Sequence, residues 1–386
     1  MTDGWEIKSL GDVLKLEYGK PLPEEDRDDK GAYPAYGANG IKCRTRKFLC
    51  ERPGIIVGRK GSAGEVTLTE ERFWPLDVTY FVAFDDRRYD LKFLYLCLRR
   101  LHLTRLANGV KPGLNRNDVY QLNFSFPSLG EQKRIVSLID GAFARLDAAV
   151  ANAEKNLTNV HEMFGCYLAA KFANNGIMVP LRDLASEITD GDHSPPPKAK
   201  KGIPFITISD IVKSTRDIDF SDTFLVPEEY FNGLKSNKKP RIGDVLYTIT
   251  GATLGIPVLV KQQRDFCFQR HIGLIRPNKS TDSRWLAYGL LSPQVFKQAT
   301  EGSTGTAQKT VSLSVLRGLA LPKSSLVDQK RIAGLLDELS DKTLRLEAIY
   351  RRKLADLTEL KQAILQKAFA GELTAQPERL LQHALA

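Results

Sequence analysis

Residues 131–140 read EQKRIVSLID and residues 328–337 read DQKRIAGLLD. Six of the ten positions are identical across an offset of 197 residues. After Glu131, apolar residues fall at Val136, Ile139, Phe143, Leu146, Val150, Ala153, Leu157, Val160, Phe164 and Tyr167. Steps of 3 and 4 alternate without a break, which keeps one apolar stripe along a helix. No proline interrupts residues 128–179. This spacing predicts a helix from about Glu131 to Ala173, roughly 65 Å long at 1.5 Å per residue, stopped by Asn174, Asn175 and Gly176. The second copy gives Ile332, Leu336, Leu339, Thr343, Leu346, Tyr350, Lys353, Leu357, Leu360 and Ile364, with Thr343 and Lys353 as defects and Gly371 as the stop. Phe172 and Phe369 keep the same offset at the far ends. An apolar stripe must be buried, so the two helices are expected to pack on each other. Packing of each on its own globular neighbour is the alternative.

The repetition continues outside the helices. WEIKSLGDVLKL (5–16) has the pattern of MVPLRDLASEIT (178–189), each a short strand before a small helix. YPAYGANGIK (33–42) corresponds to IPFITISDIV (203–212), and GIIVGRKGSAGEVTL (54–68) to GDVLYTITGATLGIPVLV (243–260). The latter pair reads as strand, Gly-bounded turn, strand. LDVTYFVAF (76–84) corresponds to CFQRHIGLIRP (267–277), and an aromatic-rich helix follows in both halves. GVKPGLNRNDV (109–119) matches GTAQKTVSLSVL (305–316). The fold class is therefore α+β, with two β-rich globules, two long coiled-coil-like helices and a pseudo-two-fold internal repeat. The expected segments are globule 1–130, helix 131–176, globule 177–327, helix 328–373 and a tail 374–386.

Composition narrows the class. The 386 residues are 42% hydrophobic and 26% charged, as in an ordinary globular protein. No apolar run approaches the ~18 residues of a membrane span, and the N-terminus lacks a signal-peptide layout, so a cytoplasmic location is expected. Five cysteines without a C-x-x-C pair argue against a disulfide framework or a zinc site. The net charge of +10 is uneven. Residues 1–130 hold 21 Lys+Arg against 18 Asp+Glu, and residues 177–327 hold 20 against 14. The two helical segments are nearly neutral. A basic excess confined to the globules suits a polyanion.

The stretches FPSLGEQKRIVSLID, TDGDHSPPP, GIPFITISDI, LYTITGATLGIPVLV, SLVDQKRIAGLLD and AFAGEL, in this order along the chain, resemble the specificity subunit of type I DNA restriction–modification systems. The resemblance spans nearly the whole chain. It implies that each globule is a target-recognition domain for half of a split DNA site. It also implies that the long helices pack antiparallel, hold the two apart and dock methyltransferase subunits, two of them, with restriction/translocase subunits as further partners. The chain itself would be non-catalytic and hold no cofactor, S-adenosylmethionine binding instead to the partner. The first globule lacks a TDG-x-H run, which leaves its DNA-facing residues less defined. A coiled-coil scaffold with two protein-binding modules is the alternative from another class.

Catalytic readings fail on spacing. GRKGSAGE (58–65) places Glu65 where a phosphate-binding loop needs lysine. The Pro-Pro run SPPPK has no following aromatic, which an amino-methyltransferase loop would need by family resemblance. PEEDRDDK (23–30) has the carboxylates of a metal nuclease, but reads as a solvated, Pro-bounded loop. Arg59, Lys60 and Ser62 instead form a Gly-bounded turn suited to phosphate. Tyr36, Asn39, Lys111 and Arg116 are the other DNA-binding candidates of the first globule. In the second, His193 precedes three prolines in an extended loop. Gln269 and Arg270 carry side chains able to make bidentate contacts to adenine and guanine. Gln308 and Lys309 lie in a polar loop, and Thr250 and Thr253 lie in a stretch that carries the resemblance.

Overall fold

The computed structural model describes residues 4–173, 176–193, 195–305 and 308–375. Asn174 and Asn175 of the expected helix stop, Thr306 and Ala307 of the polar loop, and the tail beyond residue 375 lie outside them. The first long helix spans Leu129–Lys171 and the second Leu326–Phe369, each starting two residues before the repeated motif. The chain divides into two compact units, Met1–Asn152 with Leu354–Ala386, and Ala153–Lys353.

In the first unit a four-stranded antiparallel sheet runs Leu14–Tyr18, Thr79–Phe84, Gly54–Gly58, Val66–Thr69. A three-stranded sheet runs Gly40–Thr45, Tyr33–Gly37, Trp74–Pro75, its last pair parallel. Glu6–Ser9 pairs with Asn123–Phe126 next to the start of the long helix. The second unit repeats this wiring. Its four-stranded sheet runs Ala185–Asp190, Ile272–Pro277, Val245–Thr248, Pro257–Leu259. Its three-stranded sheet runs Leu225–Val226, Ile203–Ile206, Cys267–Phe268, again with a parallel last pair. Met178–Pro180 pairs with Ala320–Pro322.

The repeated motif acts through its glutamine. Gln132 is fully buried; its Oε1 accepts from the Asp90 amide at 2.9 Å, and its Nε2 donates to the carbonyls of Arg88 and Pro127. Asp90 in turn caps the helix Leu91–Arg100 by accepting from the Phe93 amide. Gln329 does the same with the Asp282 amide at 2.8 Å and the carbonyls of Ser280 and Ser324, and Asp282 caps the helix Ser283–Leu291. Two of the three bonds of each glutamine thus tie the long helix to the start of the aromatic helix of its own globule, and the third holds the segment that leads into the long helix.

The far ends behave equally. In the first unit Phe369 packs on Phe93 and Phe124, with ring centroids 5.4 and 5.3 Å apart. In the second, Phe172 packs on Trp285 at 5.5 Å. Gly289 admits that ring, since a Cβ there would stand 2.9 Å from it. The core of the first unit joins Ile135, Val136 and Ile139 to Ala368 and Phe369. That of the second joins Leu168 and Phe172 to Ala333 and Leu336. Early residues of one helix therefore meet late residues of the other within each unit, which is antiparallel packing. Both expected packings occur, on the partner helix and on the globules.

The stripe departs from strict heptads. Lys353 and Leu360 are exposed, Leu360 by 42%. Lys361 turns in instead, over the Phe143 ring and paired with Asp147. A straight helix of 3.6 residues per turn drifts about 20° per heptad, so a 3.5-residue pattern loses the seam after several turns. Thr343, the other defect, is buried.

Gln329→Ala would leave the Asp282 amide and the carbonyls of Ser280 and Ser324 without this partner. A loss of about 3 kcal/mol is expected, with amide-exchange protection lost at Asp282–Trp285 while the equivalent Asp90–Phe93 stays protected. Hydrogen exchange on the full chain checks this.

Candidate nucleic-acid interface

The candidates of the first globule gather at one end of its four-stranded sheet. The backbone after Gly54–Gly58 pairs with a second segment: the Gly61 amide donates to Pro112 O, the Leu114 amide to Arg59 O, and Lys60 bridges Gly113. The Arg59 and Lys60 amides both donate to Val78 O. These bonds bring Arg59, Lys60 and Ser62 beside Lys111 and Arg116. Gly58 has no room for a side chain, since a Cβ would lie 2.1 Å from Ser62 O and 3.0 Å from Ala38 O. The turn carrying exposed Asn39 therefore sits against the same loop.

The second globule repeats these bonds. The Gly251 amide donates to Lys309 O, the Val311 amide to Ile249 O, and Thr250 bridges Thr310. The Ile249 amide donates to His271 O, as Arg59 does to Val78. Gln308 and Lys309 are exposed beside this loop, and Arg270 is exposed on the adjoining segment, with Gln269 half-buried. Burial and the neighbouring Arg270 both lower the pKa of His271, which favours the neutral ring.

A third segment completes each cluster, and in the first globule the sequence reading missed it. Asp192 bridges Gln269, and Gly191 sits so close that a Cβ would lie 2.1 Å from Phe268 O. Exposed His193 follows, its Nε2 2.8 Å from Asp190 Oδ2. Tyr230 donates to Asp192 Oδ2 at 2.6 Å; burial and this bond raise its pKa. In the first globule the same place is held by Gly19, whose Cβ would lie 2.1 Å from Leu76 O. The counterpart of TDGDHSPPP is thus EYGKPLP (17–23), with Tyr18 where Asp190 stands. The shared signal is a glycine after a strand and prolines beyond it.

Tyr18 is 49% exposed and lies under two guanidinium groups, Arg59 at 5.4 Å and Arg116 at 5.0 Å from its centroid. It also packs on Tyr80, 5.1 Å between centroids. Burial, more than Tyr18, raises the Tyr80 pKa. Arg59 is further held by donating Nε and Nη2 to Asp77 O at 3.1 and 2.6 Å.

Two candidates leave this surface. Tyr36 is 7% exposed, edge-on to Phe73 and beside Ile56, because its strand is central in the three-stranded sheet. Thr250 is 4% exposed, turned inward by its pairing with Thr310. The hydroxyl of half-buried Thr253 is also buried, and neither hydroxyl has a partner among the described residues. No group of carboxylates, histidines and cysteines able to hold a metal occurs among the described residues, nor is any described helix long and apolar enough to cross a membrane.

Comparison with known proteins places these clusters in context. The family model of the type I restriction modification DNA specificity domain matches residues 2–157 and 186–355, one match per globule. The chain is 27% identical over 362 residues to the EcoBI specificity subunit of Escherichia coli, covering 83% of this chain and 74% of that one. It is 22% identical over 404 residues to the EcoDI specificity subunit of the same organism, covering 96% and 89%. A solved structure concerned with complex assembly and conformational transition of the type I R-M system is similar in fold, with TM-score 0.75, 20% identity and 97% and 99% coverage. The HsdS subunit from Thermoanaerobacter tengcongensis aligns with TM-score 0.60, 20% identity and 97% and 98% coverage.

A Cβ at Gly191 must displace the Phe268–Gln269 backbone. Gly191→Ala is expected to cost on the order of 1–3 kcal/mol, as overpacking does, and Gly19→Ala the same. Thermal unfolding of each variant checks this, and since neither glycine has a positive φ, the loss reads crowding alone.

Proposed function

We propose that this chain, which belongs to the type I restriction–modification DNA specificity family, reads a two-part DNA target, one half with each globule, and docks methyltransferase subunits. The role is non-catalytic. The observation that carries the reading is the duplicated loop cluster: one hydrogen-bonded framework, built twice, bearing different side chains. A scaffold for two protein ligands would not need exposed Lys and Arg gathered on the same loops of both copies.

The division of labour follows general rules. Lys60, Ser62, Lys111 and Lys309 contact phosphate and set position, while Asn39, Arg116, His193, Gln269, Arg270 and Gln308 face the bases. Arg59 serves the loop's own geometry as well as its charge. The segments 1–130 and 177–327 are the recognition domains, and 131–176 and 328–373 the spacers, with the tail from 374 outside this scheme. Two methyltransferase subunits bind S-adenosylmethionine and flip the target adenines, since a stacked base is out of reach. Restriction/translocase subunits complete the assembly, in the cytoplasm.

The test uses the chain assembled with its methyltransferase subunits, followed by sequencing of methylated sites. A bipartite target with a fixed spacer is expected; a continuous site overturns the reading. Exchanging residues 1–130 for another such globule should change one half-site alone. Inserting one heptad in both helices should lengthen the spacer and leave both half-sites as they were. Lys60→Ala with Lys111→Ala should weaken duplex binding at every site alike, and should flatten the log–log salt dependence by about 2, at roughly 0.9 per phosphate contact.

A further inference from the structure

We infer that Arg116 reads a guanine in the half-site of the first globule and that Tyr18 is the residue that positions it; this rests on the function proposed above. The argument begins with what each guanidinium is free to do. Arg59 spends two of its donors on Asp77 O and lies against one aromatic ring, so its planar fork is occupied by the protein. The Arg116 guanidinium has no hydrogen-bond partner among the described residues and lies 5.0 Å from the centroid of Tyr18. Its backbone is nonetheless fixed. Arg116 opens the helix Arg116–Tyr120, whose cap Asn115 accepts from the Asn117 amide at 3.0 Å, and Leu114 is tied to Arg59 O.

Tyr18 is fixed from below. It ends the edge strand Leu14–Tyr18 opposite Tyr80, whose hydroxyl donates to Leu114 O at 3.1 Å. The next residue is Gly19, pressed against Leu76 O. The ring therefore forms a rigid platform, and an arginine stacked on an aromatic face loses less freedom when it forms hydrogen bonds. A planar fork with free donors, held at a loop surface of a DNA-reading domain, matches the O6 and N7 acceptors of guanine.

The second globule supplies the contrast. At the positions equivalent to Tyr18, Arg59 and Arg116 it has Asp190, Ile249 and Leu313, so it holds neither platform nor fork there. A guanine read in this manner belongs to the first half-site alone.

The experiment is methylated-site sequencing with the assembled methyltransferase complex, half-sites being assigned by exchange of residues 1–130. Arg116→Ala should relax one guanine position of the first half-site, by about tenfold to hundredfold in preference over other bases. The second half-site should not change. Arg116→Lys keeps the charge and loses the fork, so it should relax the same position with an unaltered salt dependence. Tyr18→Leu should relax that position more weakly, and Tyr18→Phe, which keeps the ring, should not. Replacing that guanine by 7-deazaguanine in duplex binding should weaken the wild type and leave Arg116→Ala unaffected.

A uniform loss over all sites, with a salt dependence flatter by about 1, would make Arg116 a phosphate contact and overturn the inference while leaving the bipartite reading intact. Relaxation in the second half-site, or a first half-site without guanine, would overturn it also. A target that is not bipartite would remove the proposed function itself.

Discussion

The structure depends on a buried amide at the head of each long helix. Gln132 and Gln329 each satisfy one backbone N–H and two carbonyls of the adjoining globule. Few side chains can do this. A carboxylate could not donate to the two carbonyls, and an apolar residue would leave all three groups without partners at about 1–3 kcal/mol each. Because the accepted amide belongs to the residue that caps the aromatic helix, the long helix and the globule take one mutual orientation. The phenylalanine at the far end does the complementary work by packing. Hydrogen-bond geometry sets direction at one end, and ring packing supplies burial at the other.

This division explains why the two copies differ so unevenly. The helix heads and tails must satisfy fixed geometry, so they read alike. In the loop clusters only the backbone bonds are shared: Gly61 to Pro112 in one copy, Gly251 to Lys309 in the other. Those bonds ask for glycine at the close approaches and little else. The side chains above them are free to be a stacked Tyr18 in one globule and an Asp190–His193 pair in the other. A common backbone with unlike surfaces suits the proposed reading of two different half-sites. The comparisons bear out the family and the fold class.

Much of this was legible from residues alone. Steps of 3 and 4 from Val136 to Tyr167 and from Ile332 to Ile364, without proline, admit only a long helix, and an exact offset of 197 between the helix heads admits little but duplication. The strand–turn–strand pairs followed from glycines bounding β-rich runs. Heptad periodicity also located the seam, until accumulated drift put Lys361 inside and Leu360 outside.

What the one-dimensional pattern lacked was the third coordinate. Tyr36 and Thr250 carry polar groups in glycine-bounded stretches and read as surface, yet neighbouring strands cover them. The equivalence of Gly19 and Gly191 is carried by a carbonyl 2.1 Å from an absent Cβ, contributed by a segment more than fifty residues away. Local patterns report what a residue prefers within its own element. Which side chains share a surface is decided when distant strands pair, and only the folded chain records that pairing.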